Sequence, residues 1–155
     1  MPFKQYWAPS LLVVGILLAS LVQTNFGRVT VKDTRFIGSN GSLMSGLLYI
    51  PHGTTVNRPA PAILAIHGYI NSRETQSAFA IELARRGYVV LALDQTGHGY
   101  SDAPAFSNGF GGPDGLKYLR SLPFVDQTRI GMEGHSMGGW AIQAAAATTP
   151  DAYQS

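Results

Sequence analysis

Two hydrophobic rhythms divide the chain. Between Leu11 and Val22 the residues are almost all apolar, uninterrupted by charge and without a polar stripe, the pattern of a helix apolar all round. From Val29 onward the apolar residues fall into short blocks separated by glycine, proline and charge. Val29–Ile37, partly alternating, and Leu43–Ile50 flank Gly38–Ser42, whose Asn40-Gly41 pair is a hairpin signal; they read as two antiparallel strands. Pro51–Pro61 is polar and proline-bounded, hence a loop. Ala62–Ile66 and Tyr88–Leu93 are continuous apolar runs, as expected of parallel strands buried on both faces. Between them, Arg73–Arg86 carries a broad apolar side through Phe79, Ile81, Leu83 and Ala84; Ser72 stands at the cap position and Gly87 marks the end. A second helix starts at Pro113-Asp114-Gly115, runs through Leu116, Leu119 and Leu122, and stops at Pro123. Phe124–Thr128 connects it to a short strand, Arg129–Glu133. Trp140–Ala147 is then a strong helix former halted by Pro150. Strand, helix and strand in alternation from residue 62 predict an α/β fold: a mostly parallel sheet with right-handed crossovers and an antiparallel N-terminal hairpin.

Composition narrows the class. A length of 155 residues allows one domain, and 45% apolar with 13% charged residues supplies a packed core. The formal net charge of +2 is small and the basic residues are scattered, so nothing points to a nucleic-acid surface. Without cysteine there is no disulfide framework, thiolate nucleophile or cysteine zinc site. The histidines lack metal-ligand spacing and Gly97-x-Gly99 does not open a helix, so neither a metal nor a nucleotide cofactor is expected.

Residues 1–28 are set apart from the domain at 29–155. A helix from Trp7 to Phe26 would span roughly 30 Å, enough for a bilayer, with Lys4, Tyr6 and Trp7 suited to its interface. The expectation is one N-terminal membrane helix acting as an uncleaved anchor, because Leu18–Asn25 offers no Ala-x-Ala-like cleavage site; cleavage would instead release a secreted form. Arg28, Lys32 and Arg35 against Lys4 place the domain on the cytoplasmic side by the positive-inside count, an export signal on the other, and the side stays open.

The candidate chemistry is concentrated in Gly134-His135-Ser136-Met137-Gly138-Gly139, between a predicted strand and a predicted helix. Gly134-x-Ser136-x-Gly138 in that setting has the form of a nucleophile elbow, in which the serine sits on a strained turn and side chains two residues either side would strike the neighbouring strand or helix. With Val125-Asp126 and Arg129-Ile130-Gly131 before it, this stretch resembles the α/β-hydrolase superfamily, most closely its dienelactone-hydrolase, acyl-esterase and prolyl-oligopeptidase branch. The resemblance covers the first half of that fold. It implies that Ser136 is the nucleophile and that the backbone N–H groups of Met137 and Tyr69 form the oxyanion hole, Tyr69 following His67-Gly68 at the end of a parallel strand. The Tyr69 phenol either assists in binding the acyl group or only packs. His67 is read as a structural hydrogen bonder rather than a catalytic base. Asp94-Gln95-Thr96-Gly97-His98-Gly99-Tyr100-Ser101 resembles the family's loop after the fourth strand, in which the aspartate ties the loop through backbone N–H groups; the competing reading makes Asp94 and His98 the partners of Ser136. Pro104–Gly112 is a glycine-containing loop, expected to be mobile, that borders the site.

The departure from the family lies after the serine. Its order is serine, acid, histidine, yet Met137–Gln154 holds Asp151 and no histidine, and His52, His67, His98 and His135 all precede Ser136. The expectation is a fold truncated after the elbow helix, the acid and base coming from a missing C-terminal half or a completing partner. An oxyanion hole without a triad retains only about 10³–10⁴ over water, so this stretch alone would be nearly inactive. The reading is a membrane-tethered serine hydrolase acting through an acyl-enzyme on a small-molecule ester or amide, a carboxylic-ester hydrolase first. A prolyl-oligopeptidase-type peptidase and a non-catalytic membrane-tethered binding module are the alternatives.

Overall fold

The computed structural model describes residues 6–152. A helix, α1 (Trp7–Gln23), precedes strands β1 (Val29–Ile37), β2 (Leu43–Pro51) and β3 (Ala60–Ile66). There follow helix α2 (Ser77–Arg85), strand β4 (Val89–Asp94), a distorted turn α3 (Ser107–Phe110), helix α4 (Gly112–Ser121), strand β5 (Val125–Gly134) and helix α5 (Met137–Thr148). The sheet order is β1-β2-β4-β3-β5. β1 and β2 form the expected antiparallel hairpin, β2 pairs antiparallel with β4, and β3 runs parallel to both β4 and β5.

Two packed layers explain the uninterrupted apolar strands. Along β3 and β4, Leu64, Ile66, Leu91 and Leu93 face Leu116 and Leu119 of α4 and Ala141 and Ala145 of α5. The alternate residues Ala65, Val90 and Ala92 face Ala80 and Ala84 of α2 on the opposite side. With period-two alternation and helices on both faces, neither set can be polar.

The elements depart from expectation in four places. Ser72 does not cap a helix; its hydroxyl donates to Glu74 at 2.5 Å, and a 3₁₀ turn over Arg73–Gln76 precedes a shorter α2. The backbone N–H of Arg73, free at the start of the turn, is taken by Asp94 rather than by the Ser72 side chain. β5 begins at Val125, inside the expected connection, because Ala60 pairs with Val125 before a register shift puts Ala62 opposite Ile130. The Pro104–Gly112 loop contains the turn α3, which Thr96 holds, its Oγ1 donating to the Ser107 carbonyl at 3.0 Å and its N to the Phe110 carbonyl at 3.3 Å. The fourth concerns α1, whose residues are all exposed but which ends at Gln23, not Phe26. Asn25 and Phe26 turn into the left-handed region (φ 51° and 55°). At 17 residues it reaches about 25 Å. No helix among the described residues is long and apolar enough to cross a membrane. Lys4, assigned to one flank of this run, lies outside the described residues.

A buried ion network links the hairpin to the carboxyl edge of the sheet. Arg73, 4% exposed, donates to both carboxylate oxygens of Asp33 (2.8 and 3.2 Å), to Ser45 Oγ (2.8 Å) and to the Gly46 carbonyl (3.2 Å). Its Nε lies 3.6 Å from Asp94 Oδ2. The Arg73 hydrogen bond holds the Asp33 carboxyl below the usual aspartate range. Asp94 is fully buried, so removing the guanidinium strands its charge in the interior. Arg73→Ala is expected to lose about 3–5 kcal/mol in urea unfolding; a loss below about 1 kcal/mol would mean that the network does not anchor the sheet.

Candidate active site

β5 delivers the chain to a tight turn at the carboxyl edge of the sheet. Ser136 sits there, exposed, with φ 54° and ψ −117°, in the left-handed half of backbone space that a residue with a Cβ rarely enters. The turn is clamped: His135 N donates to the Ile66 carbonyl at 3.3 Å, Gly138 N to the His135 carbonyl and Gly139 N to the Ser136 carbonyl, both at 2.9 Å. The glycines flanking the serine are required by space. A Cβ on Gly134 would lie 2.7 Å from the Gly138 carbonyl carbon, and one on Gly138 would overlap the carbonyl oxygen of Ile66. This is the strand–turn–helix expected from Gly134-x-Ser136-x-Gly138.

The end of β3 lies beside this turn. A Cβ on Gly68 would stand 3.5 Å from Ser136 Cβ and 3.4 Å from the His135 carbonyl oxygen, so the His67-Gly68-Tyr69 loop and the elbow are in contact. Met137 N is the first helical amide of α5, where no preceding turn supplies an acceptor. Among the described residues, neither it nor Tyr69 N donates to a backbone or side-chain acceptor. The Tyr69 ring is 56% exposed.

His67 is fully buried and both its ring nitrogens are engaged. Nδ1 lies 2.7 Å from the Gly68 carbonyl, to which it must donate, and Nε2 accepts from Gln95 N at 3.1 Å. The Gln95 side-chain amide donates to the His67 carbonyl. Burial pushes the imidazole pKa below its usual value against the opposing pull of the Gly68 carbonyl, so the ring is neutral at pH 7. A ring held this way has no lone pair for a serine proton.

Asp94 is occupied as fully. Oδ1 accepts from Arg73 N at 2.8 Å; Oδ2 accepts from Ser45 Oγ at 3.0 Å and Tyr100 N at 3.2 Å. Its backbone carbonyl accepts from Ser101 Oγ at 2.8 Å. The carboxylate ties its own loop to β2 and to the 3₁₀ turn that leads into α2. His98 is hydrogen-bonded within that loop, Nδ1 to the Thr96 carbonyl at 3.1 Å, and Asp94 does not orient it. Among the described residues Ser136 Oγ makes no hydrogen bond, and no cluster of histidine, aspartate and glutamate has the geometry of a metal centre.

Two features escaped the sequence reading. Aromatic rings from three segments meet along one side of the elbow: Tyr69, His98, Phe106, Phe110 and Trp140. Phe106 and Phe110 stand alone among alanine, serine and glycine in an otherwise featureless loop, which was the available signal. The other is Glu133, one residue before the elbow, whose Oε1 is buried without a partner. It stands opposite Ala65 on the α2 side of the sheet, and a charged residue near the end of an apolar strand signals nothing about its surroundings.

Two measurements test this geometry. Gly138→Ala is expected to destabilise by at least about 1–3 kcal/mol, since the Ile66 carbonyl is part of the sheet and cannot yield. Gly139→Ala meets nothing within 4 Å and gains helix propensity, so it should stabilise by up to about 1 kcal/mol. Equal effects in chemical denaturation would remove the steric account. Burial raises the Glu133 carboxyl above its usual pKa, with His135 opposing. The folded state therefore binds a proton more tightly than the unfolded one, and stability falls as pH rises from the unfolded through the folded pKa. Glu133→Gln should raise the Tm at pH 8 and leave it unchanged at pH 4; no gain at pH 8 would show that the carboxyl finds solvent or a partner.

Comparison with known proteins bears on the same segments. The family model described as serine aminopeptidase, S33, matches residues 57–155. No curated protein matches the chain. Among solved structures, a bacterial heroin esterase superposes with a TM-score of 0.69 at 24% identity, covering 93% of this chain and 46% of that one. Est1E from Butyrivibrio proteoclasticus, solved with ferulic acid bound, gives 0.67 at 28% identity over 77% of this chain and 49% of that one. An acetyl xylan esterase from Paenibacillus sp. R4 gives 0.66 at 23% identity, covering 77% and 45%. The chain spans less than half the length of each of these three. With the family model covering the sheet from before β3 through the elbow and α5, the chain belongs to the serine aminopeptidase, S33, family of α/β-hydrolases.

Proposed function

We propose that this chain carries the nucleophile and oxyanion hole of a serine hydrolase acting on carboxylic esters through an acyl-enzyme. The observation that carries the reading is Ser136, exposed on a strained turn beside the Met137 amide and the Tyr69 loop. Ser136 Oγ attacks the substrate carbonyl carbon and loses its proton to a base. The carbonyl π pair moves to oxygen, where the N–H groups of Met137 and Tyr69 receive the negative charge; collapse expels the alcohol and leaves the ester of Ser136 for water to cleave. Each oxyanion donor is worth on the order of 10²–10³ in rate. His67 and Asp94 hold the two loops and take no part in proton transfer. Base and carboxylate come from residues outside this stretch, carried further along the chain or by a completing partner.

The preference for esters over amides is supported by the named activities of the heroin and acetyl xylan esterases. The family description supports the second reading, amide cleavage at the same serine. Parallel assays on a 4-nitrophenyl ester and an aminoacyl anilide separate the two. A further part of the proposal is association with a lipid surface through α1, whose apolar residues the domain leaves uncovered. For the natural protein, Ser136→Ala is expected to lower ester turnover by at least about 10⁴-fold. Turnover near wild type in that variant would overturn the mechanism.

A further inference from the structure

The aromatic side chains at the elbow form a continuous arc. Its first member, Tyr69, meets His98 edge-on at 6.1 Å between ring centroids and Phe106 at 6.0 Å. Phe106 meets Phe110 at 5.9 Å, and Phe110 meets Trp140 at 6.1 Å. Both ends belong to the candidate active site. Tyr69 is the residue of the oxyanion loop, and Trp140 lies on the first turn of α5, four residues after Ser136. These spacings are those of aromatic pairs that hold each other in place.

Within the described residues the arc faces outward. Tyr69, Phe106 and Trp140 are 56%, 49% and 64% exposed, although rings of this size normally complete a core. The backbone beneath them is strained: Phe106, Asn108 and Phe110 all have positive φ, at 66°, 49° and 60°. Such conformations persist only where surrounding structure imposes them. Here the imposing contacts are tight, since a Cβ on Gly97 would lie 2.5 Å from Ala105 Cα and one on Gly109 2.6 Å from Ala144 Cβ. A strained, pinned loop that holds an apolar ring in water beside a nucleophile is placed for a ligand.

We infer that the arc from Tyr69 through Phe106 to Trp140 is the subsite for an aryl group carried next to the scissile carbonyl, making arylalkanoate esters the substrate class of Ser136. An aryl ring laid against the arc meets ring faces and edges already fixed, so it gains the edge-to-face contacts beyond its buried area while little ordering remains to be done. An acetyl group carries no ring and gains no such contact. The inference rests on the hydrolase reading for its chemistry but not for its test, because binding of the product acid needs no base.

Trp7 and Trp140 are the two tryptophans of residues 1–155, so Trp7→Phe leaves Trp140, on the arc itself, as the indole reporter of this stretch. Titration of that protein with 3-phenylpropanoate is expected to give a saturable change in fluorescence, at a concentration at least roughly tenfold below any response to acetate. Phe106→Ala should weaken 3-phenylpropanoate about three- to tenfold. Phe79→Ala, an exposed ring on α2, should leave it unchanged, as should Ser136→Ala. Equal responses to the two acids, or an unchanged affinity in a natively folded Phe106→Ala variant, would overturn the subsite. Loss of turnover without loss of binding in Ser136→Ala keeps the two readings separable.

Discussion

How closely α5 can approach β3 is the constraint on which the carboxyl edge of the sheet depends. At Gly138 the helix backbone rests against the carbonyls of Ile66 and His67, with no room for one further carbon. That contact forces the turn between β5 and α5 to be completed in two residues. A turn so short throws Ser136 into a positive φ and its side chain outward. It also brings the first amide of the helix to the serine, where the end of β3 already lies. The exposed serine and the helix amide beside it are therefore consequences of one packing distance, and the glycines are its sequence trace.

A second constraint fixes the loops that surround this edge. Asp94 is a carboxyl group buried in the interior, and both of its oxygens meet donors. Those donors come from β2, from the segment after the oxyanion loop and from the loop after β4, so satisfying one carboxyl group sets three backbone paths. Arg73 extends the arrangement to Asp33 on β1. The antiparallel hairpin, remote in sequence from the elbow, is thus coupled to the geometry of the site.

The strands were legible because burial on two faces leaves an unbroken apolar run and burial on one face leaves alternation. β1, β2, β3 and β4 could be read almost to their ends for that reason. β5 was misread at its start because Asp126, Gln127 and Thr128 are polar; they lie in the register shift between the Val125 and Ile130 pairings, which has no sequence signature. Ser136 and its glycines were legible since steric exclusion acts on residue type at fixed offsets. The roles of His67 and Asp94 came through resemblance, whereas their hydrogen-bond partners, including the Gln95 side chain, depend on chain paths that local sequence does not encode. The aromatic arc escaped for the same reason, being assembled from segments some thirty to seventy residues apart. For α1, the apolar run was plain in sequence, but the left-handed turn at Asn25 and Phe26 that shortens it was not.

The engagement of His67 bears on behaviour in acid. Because Nε2 accepts the Gln95 amide and Nδ1 donates to Gly68, adding a proton to this ring means breaking the bond that joins the β3 loop to the β4 loop. The imidazole then has a donor facing a donor, and the two loops are left joined by the Gln95 side-chain amide on the His67 carbonyl. Acid would therefore loosen the segment that carries the Tyr69 amide, a mechanical change distinct from the titration of any group that acts on substrate.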